Sequence, residues 1–254
     1  VIVILEDKKE ARIEGRNAVL EALSAGRPLN KIYIKKGERH GAIQKIMELA
    51  RSSGIPVVEL DPKSFEHMAQ TRNPQGVIAL SSPKEYVSVD DILETADRCR
   101  EAPFVFVLNE ITDPQNLGSI LRTADCLGVH GVVIPKRRAC GVTPAVVKVS
   151  EGAAEYVNVA RVTNIASTLD YLKEKGLWVV GADMDGEPYY RMDLTGPVAL
   201  VVGGEDKGLG RLVREKCDLL VKLPLRGHVP SLNAAVAAAV LGYEILRQRE
   251  GRHA

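Results

Sequence analysis

The chain has 254 residues, 45 % hydrophobic and 26 % charged, which fits a soluble globular protein of one large or two ordinary domains. Lys and Arg number 34 against 33 Asp and Glu, so the formal charge is +1 and any surface for a polyanion must be a local patch. Aromatic residues make up 4 %, which argues against a base-stacking sheet, and four scattered cysteines (Cys99, Cys126, Cys140, Cys217) without CxxC pairing give no sign of a zinc site or disulfide framework.

The opening run, Val1-Ile-Val-Ile-Leu5, is too short for a signal peptide or a membrane span, and reduced thiols point to a cytoplasmic protein. From Ile13 to Leu80 helix and strand patterns alternate. Gly15 to Leu23 and Ala42 to Arg51 read as amphipathic helices, Lys31 to Lys35 and Ile55 to Leu60 as strands. Asp61-Pro62 opens a third helix, with Asp61 as cap and Pro62 at the first helical position, and Gly76 to Leu80 closes a small α/β domain over residues 1–80. Residues 81–99 read as a linker that includes an acidic helix, Asp90 to Arg98. A second domain, residues 100–254, begins with Phe104 to Leu108, an apolar run typical of a buried parallel strand. Further strands are expected at Gly131 to Pro135, Leu177 to Gly181, Val198 to Val202 and Leu219 to Leu223. Helical patterns between and after them, at Asn116–Leu127, Ile165–Lys175, Arg211–Lys216 and Ser231–Arg249, imply a parallel α/β sheet.

Three loops follow strands of this sheet, where parallel sheets bind ligands. The first, Asn109 to Pro114, leads into a helix that Asn116 is placed to cap and that carries Arg122. The second, Gly203-Gly-Glu-Asp-Lys-Gly-Leu-Gly210, permits close approach to its backbone. It is neither a Walker loop, which needs Lys-Ser/Thr where Leu209-Gly210 stand, nor GxGxxG. The third, Leu223-Pro-Leu-Arg-Gly-His-Val-Pro230, launches a helix whose first turn carries Ser231 and Asn233. Taken singly, these are ordinary capped helices and turns, and His228 reads as a solvated loop histidine.

In combination, Asn116-x-Gly118-x-Ile-x-Arg122-Thr-Ala, Gly203-x-Glu205-x-x-Gly208 and Leu223-Pro-x-x-Gly-x-x-x-Ser231-Leu-Asn233 resemble the three motifs of the SpoU (TrmH-type) RNA ribose 2′-O-methyltransferases. The resemblance spans about Pro103 to Arg249. In the first domain, Glu14-Gly-Arg-Asn-Ala-Val19 and Gln75-Gly76-Val77 are similar to the family's RNA substrate-binding domain, in the branch that methylates guanosine in bacterial 23S rRNA. The resemblance implies a trefoil-knotted parallel-sheet methyltransferase domain of the SPOUT class behind a small α/β substrate-binding domain. It also implies S-adenosylmethionine as cofactor, a homodimer with active sites at the interface, and no metal. It assigns catalysis to Arg122, Asn116, Glu205, Ser231 and Asn233, and cofactor binding to Gly203, Gly204, Leu223, Leu225, Gly227, Leu232 and Asn233. Candidate RNA contacts are Lys31, Lys35, Lys36, Arg39 and Arg72. The alternatives are a tRNA ribose 2′-O-methyltransferase and a non-catalytic RNA-binding protein of the same fold. A dinucleotide oxidoreductase lacks its glycine fingerprint here.

Overall fold

The apolar runs that read as buried strands pair into two sheets in a computed structural model that describes residues 11–27, 29–38, 41–81, 85–204 and 208–251. The run Val1 to Leu5, Arg39 and Glu205 lie outside the described residues. The elements divide between two compact units. One holds the described residues up to Glu85 together with Val142–Tyr156, and the other holds Tyr86–Gly141 and the described residues from Val157 on. Among the described residues no helix is long and apolar enough to cross a membrane.

In the first unit β1 (Ala11–Glu14), α1 (Arg16–Ser24), β2 (Leu29–Lys35), α2 (Ala42–Ser52), β3 (Val57–Leu60), α3 (Pro62–Met68) and β4 (Val77–Ser81) follow in chain order. The sheet order is β1-β4-β2-β3, with only β2 and β3 parallel. Alternation in β2 turns Ile32 and Ile34 into the core. Asp61 caps α3, accepting from the Lys63 and Ser64 N–H groups at 3.1 Å each, with Pro62 on the first helical position.

The second unit begins with α4 (Val89–Cys99), β5 (Phe104–Asn109), α5 (Pro114–Cys126) and β6 (Gly131–Pro135). After β6 the chain leaves to form α6 (Pro144–Val149) and α7 (Ala153–Tyr156) in the first unit. It returns as β7 (Val159–Val162), α8 (Ile165–Glu174), β8 (Trp178–Pro188), β9 (Val198–Gly203), α9 (Arg211–Glu215), β10 (Leu219–Lys222) and α10 (Ala234–Glu250). The six strands are all parallel, in the order β10-β8-β9-β5-β6-β7. Phe104 to Leu108 is buried throughout, as a central parallel strand requires. The chain moves outward from β5 to β7, then resumes on the far side of β5. That reversal leaves a crevice beyond the carboxyl ends of β5 and β9.

Two elements have bounds that differ from the sequence expectation. β8 runs on to Pro188 rather than ending at Gly181, because β10 pairs with it twice: Leu220 faces Gly181, but the next residue, Val221, faces Glu187. The intervening residues bulge from the ladder. α10 starts at Ala234, not Ser231, because Asn233 is its cap, accepting from the Ala235 and Val236 N–H groups at 3.0 and 3.2 Å. The small residues of α10 face inward: Ala234, Ala235, Ala238 and Gly242 are buried, and a Cβ on Gly242 would stand 2.5 Å from Leu127 Cδ1. At the other end of α10, Arg249 donates to the carbonyls of Ala102, Pro103 and Gly196 at 2.9, 3.0 and 2.7 Å, tying the helix to the starts of β5 and β9.

Residues 142–156 carry no strand or helix in the sequence reading, yet they complete the first core. α6 packs on β1 and α1. Glu155 forms a buried ion pair with Arg27, and the Tyr156 hydroxyl donates to Glu21 at 2.6 Å. The two stretches of the first domain singled out in sequence also meet. Gly15, at φ 106, starts α1, and the Gln75 side chain accepts from the Arg16 N–H at 2.9 Å. Glu14 is fully buried and accepts from the Gln70 and Thr71 N–H groups at 2.6 and 2.9 Å. Lys148 on α6 donates to the Thr71 hydroxyl at 3.0 Å. Glu14→Ala strands these donors, so urea unfolding is expected to show a loss of about 2–3 kcal/mol. A loss below about 0.5 kcal/mol would show that Glu14 does not anchor the 70–71 turn.

Candidate active site at the carboxyl edge of the parallel sheet

The second glycine loop folds back on itself. A Cβ on Gly203 would lie 2.2 Å from the carbonyl carbon and oxygen of Gly208, and one on Gly204 would lie 2.7 Å from the Glu110 carbonyl oxygen. Neither position admits a side chain. The Gly204 N–H donates to the Asn109 carbonyl and the Gly208 N–H to the Gly204 carbonyl, both at 2.9 Å. The Asn109 amide donates to the Leu209 carbonyl at 2.9 Å. The first and second loops are therefore one hydrogen-bonded unit.

The third loop joins through Asn233, whose amide nitrogen donates to Asn116 Oδ1 at 2.8 Å. Asn116 is buried in the first turn of α5 and is not its cap. Asp113 caps that helix, accepting from the Gln115 N–H at 2.9 Å, because Pro114 suits the first helical position behind it. The Asn116 side chain thus serves a tertiary link.

The second and third loops border a cavity of roughly 320 Å³, and the first backs them through its hydrogen bonds. Gly203, Gly204, Leu223, Leu225, Ser231 and Leu232 line it, together with Val202, Ala237 and Leu241. Asn116 and Asn233 are off its lining but hydrogen-bonded to each other. Gly227 does not line it. Arg122 is exposed on α5 and is likewise off the wall. Glu205 lies outside the described residues.

Sequence reasoning missed the polar side of the cavity. Asp183, Met184 and Asp185 line it from the bulged part of β8, with Arg214 from α9 and Lys222 from β10. Arg214 Nε lies 3.4 Å from Asp183 and its Nη2 3.0 Å from Asp185. The available signal was position: two carboxylates directly after a buried strand, on the ligand-binding edge of a parallel sheet. Cys217 is no nucleophile here, because burial pushes its thiol pKa up to about 12. With an apolar floor, exposed main chain and a charged rim, the cavity suits a flat heteroaromatic group with a polar, charged tail.

In the first unit, Lys36 and Arg72 are exposed, Lys35 pairs with Glu66 at 3.0 Å, and Lys31 lies 5.9 Å from the Tyr33 ring centroid.

Residues 103–243 match the SpoU rRNA Methylase family, and residues 12–87 match the RNA 2′-O ribose methyltransferase substrate-binding family. A Bacillus subtilis (strain 168) protein described as a TrmH family tRNA/rRNA methyltransferase is 49 % identical over 92 % of this chain and 94 % of its own length. The SpoU methyltransferase AviRb from Streptomyces viridochromogenes, solved in complex with the cofactor AdoMet, has a TM-score of 0.81 at 28 % identity, covering 96 % of this chain and 92 % of that one. A crystal structure of an RNA 2′-O ribose methyltransferase gives a TM-score of 0.78 at 28 % identity, covering 96 % of this chain and 91 % of that one.

The amide link between the first and third loops is measurable. Asn233→Ser keeps a helix cap but falls short of Asn116. A double-mutant cycle with Asn116→Ala is expected to yield a coupling of about 1 kcal/mol in urea unfolding. Additive losses would mean the link contributes nothing.

Proposed function

The chain belongs to the SpoU family of RNA 2′-O-ribose methyltransferases, and we propose that it methylates the ribose 2′-hydroxyl of a guanosine in 23S rRNA with S-adenosylmethionine as donor. RNA ribose 2′-O-methylation is the activity of the family. The observation that carries the reading is the hydrogen-bonded joining of three separate loops at the carboxyl edge of the sheet, the second and third of which wall one cavity.

The cavity fits the donor. Gly203, Gly204, Leu223, Leu225 and Leu232 would hold its flat base by main-chain groups and apolar contact, whereas Gly227 stands off the wall. Asp183, Asp185 and Arg214 on the rim suit hydroxyls and a zwitterionic tail. When bound, S-adenosylmethionine would supply a methyl group made electrophilic by its sulfonium, for transfer to the 2′-oxygen with loss of the hydroxyl proton, while the protein's part is to align that hydroxyl.

Arg122 grips the neighbouring phosphate and steadies the developing alkoxide. Its guanidinium stays protonated at neutral pH and is therefore a poor base. The proton leaves through Ser231 or water. Asn116 and Asn233, fixed by their mutual hydrogen bond, orient the ribose and Arg122 together with Glu205. An Arg122 that is exposed and off its own cavity wall is what a reaction centre assembled between two copies requires. A homodimer has a surface to use: Val236, Val240 and Tyr243 stand outward on α10 at 47, 40 and 53 % exposure, at helical spacing for one stripe. Threading of the C-terminal segment into a trefoil knot and a cytoplasmic location belong to the same reading. The first unit meets RNA through phosphates and shape, by way of Lys31, Lys35, Lys36, Arg39 and Arg72.

A tRNA substrate is the second reading, since the Bacillus relative is described for tRNA and rRNA alike. Mass-spectrometric mapping of ribose methylation in RNA from a deletion strain is expected to show one missing 2′-O-methylguanosine in 23S rRNA. A missing mark in tRNA instead would overturn the rRNA assignment. Arg122→Lys is expected to lower turnover by about 100-fold or more, the scale of losing one preorganised charge contact, with S-adenosylmethionine affinity by calorimetry unchanged. Near-normal turnover in that variant would remove Arg122 from the mechanism.

A further inference from the structure

We propose that Lys136, Arg137 and Arg138, at the carboxyl end of β6, form a strip that binds the phosphodiester backbone of the RNA substrate beside the reaction site. The proposal rests on the RNA-methylation reading and adds a contact surface on the methyltransferase unit itself.

All three side chains belong to exposed residues on the sheet edge where the cavity opens. The segment that presents them is built, not loose. The Lys136 N–H donates to the Val162 carbonyl at 2.8 Å, and Arg161 Nη2 donates to the Lys136 carbonyl at 3.3 Å. Arg161 in turn lies over the Tyr86 ring, 4.9 Å from its centroid. At the far end, the Cys140 N–H donates to the Ile111 carbonyl at 2.8 Å, tying the segment to the loop after β5. Arg138 itself adopts φ 58, the left-handed region, so its side chain is presented at some backbone cost.

The strip also connects to the cavity. Arg138 Nη1 lies 3.6 Å from Glu110 Oε1, on an Arg138 side chain that is 83 % exposed. The carbonyl of the same Glu110 abuts Gly204, which lines the cavity. Three consecutive exposed cations repel one another, and the partly buried Glu110 carboxylate, 3.6 Å from Arg138 alone, offsets this weakly. A polyanion relieves the repulsion and gains further from counterion release. Guanidinium forks match phosphate oxygens, and near-neutral net charge makes a local patch the only electrostatic route to RNA.

The test is filter binding of the full-length protein to deproteinised rRNA and tRNA from a deletion strain, from about 50 to 300 mM KCl, with steady-state methylation alongside. Arg137→Ala/Arg138→Ala is expected to flatten the slope of log K against log salt by about 1.5. RNA KM should rise about tenfold, with kcat within about twofold and S-adenosylmethionine affinity unchanged. The control, Arg98→Ala/Lys175→Ala, removes two charges near the opposite sheet edge and should leave slope and KM as in the wild type. A wild-type slope and KM in the strip variant, or an equal loss in the control, overturns the proposal. So does an unchanged RNA slope with lost binding to polyglutamate, which would assign the strip to an acidic protein. A wild-type protein that methylates no RNA, yet whose strip variant flattens the slope, would sink the proposed activity and leave the strip standing.

Discussion

The site depends on two positions having no side chain. At Gly203 the turn after β9 closes on its own residue 208, and at Gly204 it presses on the Glu110 carbonyl. Any Cβ would push the turn away from the loop after β5, and the cavity wall would open. Close packing there is what brings main-chain groups of two strand ends to one small volume. The glycines therefore act first on the protein's own chain, and a ligand can approach the backbone only as a consequence.

Around that closure, the rest of the site is assembled at long range. Asn116 and Asn233 stand 117 positions apart, and their side-chain hydrogen bond joins the start of α5 to the start of α10. Asp113 and Asn233 do the capping, so each helix start is satisfied locally while Asn116 reaches across. The charged rim comes from a strand defect. Because β10 pairs with β8 on both sides of the bulge, residues 182–186 leave the ladder and turn Asp183 and Asp185 toward Arg214. Gly186 permits it, since a Cβ there would stand 2.5 Å from the Leu220 carbonyl carbon.

The first unit shows the same economy with a buried carboxylate. Glu14 holds the turn after α3 by its main-chain N–H groups, and Gln75 covers the start of α1. Part of that unit's core comes from residues 142–156, an excursion between two strands of the other sheet. The two units are therefore covalently interleaved, and a cut at one linker would not separate them into the pieces that fold.

Local pattern was enough for most elements, because helix and strand periodicity is written into neighbouring residues. Phe104 to Leu108, Gly131 to Pro135 and the cap at Asp61 stand where spacing and residue type put them. The family and its three loops were also readable, since motif content and order survive without coordinates. Pattern failed where a residue answers to a distant partner. The second half of β8, rich in Asp and Gly, looks like a loop until β10 pairs with it, and β7 is four residues whose strand identity comes from β6. Asn116 reads as a cap until Asn233 is beside it. The inserted helices gain their place only from the core they cover. Each of these rests on contacts whose free energy appears only after chain closure, so no window along the chain contains it.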